Sequence, residues 1–304
     1  MKLPPVFVDN VIQAFGEAGR RYLADLPARL DEAARRWNLT LGEPFLLSYN
    51  YACAATLPDG RPAVLKIGVP NEELTSEIAA LRLYAGAGAC HLYAADPERG
   101  MLLEERLLPG TMLHLAGLDD ESQTALAAEV MRRLWRPAPP GEPLLRLRVW
   151  FDELNRLRPR FGGETGPFPP RLVEAVESLL PNLWAESSPA VVLHGDCHHY
   201  NILQSKRGWL AIDPKGVVGP PEYEPAPLML NPWGDLAARP EARAVSRRRL
   251  EILAERLGLD RQKLWAWAVC HSLLSAWWDL SANDTGGEYA AACGEMLLEI
   301  GPAA

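Results

Sequence analysis

The sequence predicts an α+β chain of two lobes: a small N-terminal α/β lobe with an antiparallel sheet, then a larger, mainly helical C-terminal lobe. Three observations lead there. Apolar residues recur at helical spacing at the start, give way between 40 and 106 to short runs separated by turn residues, and return to helical spacing from about 111. The chain of 304 residues is too long for one simple domain of roughly 100–200 residues. Its composition, 48% apolar and 23% charged, is that of a globular protein and excludes a disordered or collagen-like chain.

Residues 9–37 read as two helices broken near Gly19, with Val11, Ile12 and Phe15, then Leu23, Leu26 and Leu30, at helical spacing. They form a helical extension (1–39) ahead of the small lobe (40–106). In that lobe, Phe45–Leu57 and Ala63–Ile67 flank the turn Pro58-Asp59-Gly60 as a hairpin. Residues 71–85 predict a helix, capped by Asn71, with Glu72 and Glu73 in the first turn, where the helix dipole favours acids. Met101–Leu108 is a further apolar strand, ended by Pro109-Gly110. The large lobe (107–304) starts with a helix over 119–135 and a proline-rich break at 137–143. Helices over 144–157 and 170–184 follow, then a short strand at 189–193 and a hairpin within 202–213. A proline-rich loop spans 214–240, and helix returns over 241–299. Trp265, Trp267, Trp277 and Trp278 fall near helical spacing and read as core packing.

Net charge is −8, from 31 Lys+Arg against 39 Asp+Glu. This argues against nucleic acid or an anionic membrane as partner and favours a cationic small molecule, although solubility alone also accounts for such a charge. Five scattered cysteines do not make a disulfide framework. No signal-like apolar segment and no run of roughly 18 apolar residues is present, so the expected location is cytoplasmic.

The informative stretch is VVLHGDCHHYNILQSKRGWLAIDPKG, residues 191–216. Asp196 follows a strand, Asn201 comes five residues later, and Asp213 ends the next hairpin. Protein kinases use H-R-D-x-x-x-x-N with a metal-binding Asp shortly afterwards. A carboxylate at Asp196 suits the orientation and deprotonation of an attacking hydroxyl. Asn201 and Asp213 supply hard oxygens suited to Mg²⁺. Upstream, Lys66 stands inside the apolar strand Val64-Leu65-Lys66-Ile67, as required of a phosphate-binding lysine, and Glu77 on the next helix can orient it. His194 belongs to this catalytic group as the holder of the loop through hydrogen bonds rather than as an acid–base group. The bland alternative, Asp and Asn as turn and cap residues, explains each residue singly but not the ordered set. Cys197-His198-His199 invites a zinc hydrolase reading, which neighbouring side chains on an extended segment do not favour.

With these residues in order, the chain resembles the aminoglycoside phosphotransferase branch of the protein-kinase-like fold, and within it the streptomycin 6-kinase and hydroxyurea phosphotransferase group. The phrases that carry the resemblance are AVLKIG (63–68), SEIAALRLYAGAG (76–88), LLEERLLPGT (102–111), LHGDCHHYNIL (193–203), AIDPKGVVGPPEYEPAPLMLNP (211–232) and HSLLSAWWDL (271–280). The resemblance implies a two-lobed kinase that uses ATP and Mg²⁺ to phosphorylate a hydroxyl of an aminoglycoside such as streptomycin. Hydroxyurea, an unknown polar metabolite, or a catalytically inactive nucleotide-binding role are the alternatives. It assigns Glu104, Glu105 and Arg106 to the hinge whose backbone meets adenine, and Lys215 to phosphate contact. The phosphate loop lacks a glycine signature and reads Ser48-Tyr49-Asn50-Tyr51-Ala52, so Ser48 and Asn50 would serve instead. Glu224, Asp279, Asp284 and Glu288 are the acids expected to bind a cationic or polyhydroxylated acceptor.

Overall fold

The computed structural model describes residues 2–232, 236–283 and 285–302. Helix α1 (Pro5–Trp37) breaks at Gly16, whose φ of 53° and ψ of −126° are not helical. The break expected at Gly19 is displaced for a physical reason. Gly19 is helical, and a Cβ there would stand 2.5 Å from the Val11 carbonyl oxygen. One glycine bends the chain, and the other lets the two halves pack closely.

Strands β1 (Thr40–Pro44), β2 (Tyr51–Thr56), β3 (Pro62–Ile67), β4 (Leu92–Asp96) and β5 (Met101–Glu105) form one antiparallel sheet in the order β1-β2-β3-β5-β4. Residues 45–50, expected within a strand, form the loop between β1 and β2. Side chains alternate across the sheet. Cys53, Ala55, Ala63, Leu65, Ile67, Met101 and Leu103 pack with Phe7, Val11, Tyr22 and Leu26 of α1 in one core. The Tyr22 hydroxyl donates to the Ile67 carbonyl at 2.8 Å and accepts from the Tyr51 N–H at 3.2 Å. The opposite face presents Val64 and Lys66, paired in register with Glu104 and Leu102. Helix α2 (Glu72–Tyr84) joins β3 to β4. Its cap is the expected one, with the Asn71 side chain accepting from the Leu74 N–H at 2.8 Å. Leu74, Ile78, Leu81 and Tyr84 of α2 belong to the larger core of the remaining chain.

That remainder comprises β6 (Pro109–Met112), α3 (Asp120–Leu134), β7 (Leu145–Arg146), α4 (Leu147–Asp152), α5 (Leu157–Arg160), α6 (Pro170–Ala185), β8 (Val191–Leu193), β9 (Ile202–Ser205), β10 (Gly208–Ala211), β11 (Val217–Gly219), α7 (Ala242–Leu257), α8 (Arg261–Asn283) and α9 (Glu288–Ile300). Two small sheets, β10-β9-β6 and β7-β11-β8, accompany the helices. The helix expected over 144–157 starts only at Leu147, because Leu145 and Arg146 pair with β11, and passes into a 3-10 turn at Glu153–Arg156 before α5. Trp265, Trp267 and Trp277 are buried, whereas Trp278 is partly exposed. Among the described residues no helix is long and apolar enough to cross a membrane.

Candidate active site

Lys66 projects from the polar face of β3 and is buried among three carboxyl groups. Its Nζ donates to Glu77 Oε1 at 2.6 Å and to Asp213 Oδ1 at 2.9 Å. Burial works against its charge, but Asp213, Glu77 and Glu104 outweigh it and hold its pKa well above the ordinary value. Burial pushes Glu77 up, against the pull of Lys66. Glu104, in register with Val64 on the next strand, has a buried Oε1 without a hydrogen-bond partner and is pushed up to about 8 by burial.

The position of Glu77 is fixed by its neighbour. Ser76 Oγ donates to the Gly216 carbonyl at 2.6 Å and accepts from the Leu145 N–H at 3.0 Å. Helix α2 is thereby tied to the segment that carries Asp213. Asp213 itself has φ of 56°, a left-handed conformation rare for a side-chain-bearing residue. Burial raises its pKa, but Lys66, with His194 and Lys215, outweighs it and the net shift is downward.

The catalytic loop follows β8. His194 is fully buried, with Nε2 against the Ile212 carbonyl at 2.8 Å and Nδ1 accepting from the Asp196 N–H at 3.2 Å. Burial drops its pKa to about 4, so it is neutral at pH 7. Gly195 has φ of 82°, and a Cβ there would lie 2.8 Å from Val217, so the motif needs glycine between His194 and Asp196. The Asp196 side chain is 37% exposed. Burial opposes its charge, but His198, Lys215 and His194 hold it well below the usual carboxylate range. Asn201 Nδ2 donates to the Asp196 carbonyl at 2.9 Å and to Asp196 Oδ2 at 3.3 Å. With its nitrogen so committed, Asn201 offers its amide oxygen. The loop and the Asp213 segment are sewn together by Ile212 N–H to Asn201 O at 2.9 Å and Lys215 N–H to His194 O at 2.7 Å.

Lys66, Glu77, Asp196, Asn201 and Asp213 therefore form one chain of contacts and shared loops, and Lys215 joins it. The Lys215 Nζ lies 3.3 Å from Glu73 Oε2. Asp196 contributes to raising its pKa, after burial and Glu73, which act in opposite directions. The donor set fits Mg²⁺. An amide oxygen and a carboxylate whose side chain is 48% exposed suit an ion that takes few protein ligands and completes its shell with phosphate and water. Among the described residues no group of three or more His, Cys, Asp or Glu is placed to hold a metal ion. Cys197 and His199 are buried while His198 turns to Asp196, so the three do not converge as a zinc hydrolase would need.

Some expected residues lie elsewhere. Glu224 is not an acceptor acid. It is fully buried and accepts from the N–H groups of His194 at 2.8 Å and Gly195 at 3.0 Å, so it anchors the catalytic loop from below. Burial pushes it up to about 7. The Glu105 N–H is already given to the His91 carbonyl at 2.8 Å, and its side chain pairs with Arg207. Any donor from the hinge to a purine must come from another residue. The Arg106 guanidinium stacks over Phe45 at 5.4 Å, touching the β1–β2 loop. In that loop Ser48 is exposed and its carbonyl accepts from Asn10 at 3.3 Å, while Asn50 Oδ1 lies against Gly68. Asp279 is partly exposed. Burial and then the charge of Glu288 push its pKa up, so these two acids are neighbours. Glu288 is exposed. Asp284 lies outside the described residues.

Several side chains here carry no sequence signal of their own. His271 accepts or donates at Nδ1 to the Tyr223 hydroxyl at 2.9 Å. Burial drops its pKa to about 4, and the charges of Asp196 and His198 act on it. Trp278 packs edge-on to Trp150 at 5.3 Å and to His271 at 6.4 Å. Gln13 Nε2 of α1 donates to the Ala282 carbonyl at 2.7 Å, bringing the first helix to the end of α8.

Residues 48–283 match the family model described as aminoglycoside/hydroxyurea antibiotic resistance kinase. Streptomycin 6-kinase from Streptomyces glaucescens is 32% identical over 296 residues, covering 92% of this chain and 91% of that protein. Hydroxyurea phosphotransferase from Kitasatospora aureofaciens is 31% identical, covering 98% and 86%. Among solved structures, choline kinase LicA from Streptococcus pneumoniae superposes with a TM-score of 0.61 at 15% identity, over 90% of this chain and 98% of that one. The fold is that of the protein-kinase-like phosphotransferases.

Proposed function

Because the chain belongs to the aminoglycoside/hydroxyurea antibiotic resistance kinase family, we propose that it transfers the γ-phosphate of ATP to a hydroxyl of an aminoglycoside such as streptomycin, which inactivates the antibiotic. The observation that carries this reading is Lys66 held by Glu77 and Asp213 in one site with Asn201 and Asp196. Residues 40–106 serve the nucleotide, and 107–304 carry the catalytic loop and the acceptor site. The reading is of a cytoplasmic enzyme with a cationic, polyhydroxylated acceptor.

Lys66, kept charged by its carboxylates and oriented by Glu77, is the contact for the α- and β-phosphates. Ser48 and Asn50 close over them, and the Glu104–Arg106 backbone lies along the purine. Asn201 and Asp213 would hold Mg²⁺, which when bound neutralises phosphate charge. Asp196, ionised and partly open to the cleft, orients the acceptor hydroxyl and takes its proton. The acceptor oxygen then bonds to the γ-phosphorus as the bond to the β-bridging oxygen breaks and ADP departs. Lys215 is the cation beside the transferred group. Asp279 and Glu288 face the cationic groups of the acceptor.

The test is mass spectrometry of streptomycin, other aminoglycosides, hydroxyurea and sugar metabolites after incubation with enzyme, ATP and Mg²⁺. Streptomycin should gain one phosphoryl group. Transfer to hydroxyurea alone would favour the second reading, which the similarity to the Kitasatospora enzyme supports. ATP binding without transfer to any acceptor would overturn both in favour of a nucleotide-binding module.

A further inference from the structure

His198 lies in the Cys197-His198-His199 run and has no part in the reaction as derived above. Its side chain is only 13% exposed. Nε2 lies 3.2 Å from Asp196 Oδ1. Nδ1 accepts from the Tyr200 N–H at 3.3 Å, which leaves the ring proton on Nε2, the nitrogen nearest the carboxylate. The ring packs edge-on to Tyr200, with centroids 5.6 Å apart, and Tyr200 in turn packs on His114 at 4.4 Å. The imidazole is thus fixed by a backbone hydrogen bond and an aromatic wall.

Each oxygen of Asp196 has its own neighbour, Oδ1 with His198 Nε2 at 3.2 Å and Oδ2 accepting from Asn201 Nδ2 at 3.3 Å. A carboxylate gripped at one oxygen alone swings about its Cβ–Cγ bond. Gripped at both, it presents its remaining lone pairs in one direction. We propose that His198 is a positioning residue for phosphoryl transfer: its Nε2–H locks the Asp196 carboxylate in the plane that meets the acceptor hydroxyl. The proposal rests on the kinase reading, in which Asp196 receives the acceptor's proton. It predicts that the donor at this position matters rather than the ring. A glutamine, whose Nε2–H₂ reaches the same place, should substitute, whereas phenylalanine fills the space and donates nothing.

The decisive comparison is wild type, His198→Gln and His198→Phe. In His198→Phe, kcat should fall roughly 100-fold, the scale on which a misplaced reacting group slows an enzyme. ATP affinity and acceptor KM should stay within about twofold of wild type, the thermal midpoint should stay unchanged, and His198→Gln should recover most of kcat. A merely structural role would instead lower the midpoint and weaken ATP binding together, without rescue by glutamine. Long-range ¹H–¹⁵N spectra of the histidine rings provide a readout independent of transfer. His198 should carry its proton on Nε2 and shift in Asp196→Asn. A proton on Nδ1, an unmoved signal in Asp196→Asn, or full kcat in His198→Phe would overturn the proposal. If the wild type phosphorylates nothing while the spectra are as expected, the failure lies in the kinase reading and not in the His198–Asp196 contact.

Discussion

On one side, around Lys66 and Asp196, each charged side chain has a partner close by. Lys66 is bound to Glu77 and Asp213, and Asp196 to Asn201 and His198, while the Glu224 carboxylate takes the two N–H groups that precede Asp196. On the other side, at the α8–α9 junction proposed to meet the acceptor, Asp279 is partly exposed and Glu288 exposed, and burial and then the charge of Glu288 push the Asp279 pKa up. The first side is pre-organised: its groups do not rearrange at the moment of reaction, and each is worth more in a low-dielectric setting. The second side is more open to solvent, so each of its acids contributes less on its own. The difference teaches where large and small effects of substitution are to be found.

The largest effect breaks the catalytic side. Asp196→Asn removes the proton acceptor while keeping size and the contact to Asn201. Turnover should drop by roughly 10³-fold, within the span that general bases contribute, with ATP binding and thermal midpoint close to wild type. Single-turnover transfer measured beside calorimetric ATP binding checks this. Undiminished transfer would remove Asp196 from the reaction.

The contrast also explains what the sequence makes legible. Asp196 and Asn201 can be read because one loop supplies both, and the chemistry dictates their types and interval. Lys66 is legible as the one cation in an apolar strand, and Asn71 as a cap because capping is local. Glu224 misleads because its environment is set by distant chain. In Pro221-Glu222-Tyr223-Glu224-Pro225 it has the look of a surface acid, but β8 and its following loop cover it with N–H groups from residues 29 and 30 positions away. The start of the helix expected at 144 is displaced to Leu147 for the same reason, since β11 claims Leu145 and Arg146. Gly16 and Gly19 are too close for spacing alone to say which one bends the chain.

An intermediate effect tests whether Glu224 belongs to the buried side. Its pKa rises from 4.5 to about 7 on folding, chiefly through burial. The folded chain therefore keeps a proton that the unfolded chain releases between pH 4.5 and about 7. Stability falls as pH rises through that window and levels off above it. At about 1.4 kcal/mol per pKa unit, the full loss is about 3.5 kcal/mol. Urea unfolding of wild type and Glu224→Gln at pH 5 and pH 8 isolates most of it: the wild type should lose about 2.5 kcal/mol more than the variant between the two, while acceptor KM stays put. Parallel profiles with a raised acceptor KM would return Glu224 to the acceptor side.

The smallest effect sharpens the exposed side. Asp279→Asn and Glu288→Gln each remove one carboxylate charge, worth about 0.2–1 kcal/mol to a cation. Acceptor KM should rise by up to about fivefold for either, with ATP KM unchanged. Because the charge of Glu288 makes Asp279 harder to ionise, Glu288→Gln relieves Asp279, and the double variant should lose more than the two singles predict. The singles should also weaken a cationic acceptor and spare a neutral one such as hydroxyurea. Equal loss of ATP and acceptor would mean that the α8–α9 junction shapes the fold of the cleft rather than reading the charge of what enters it.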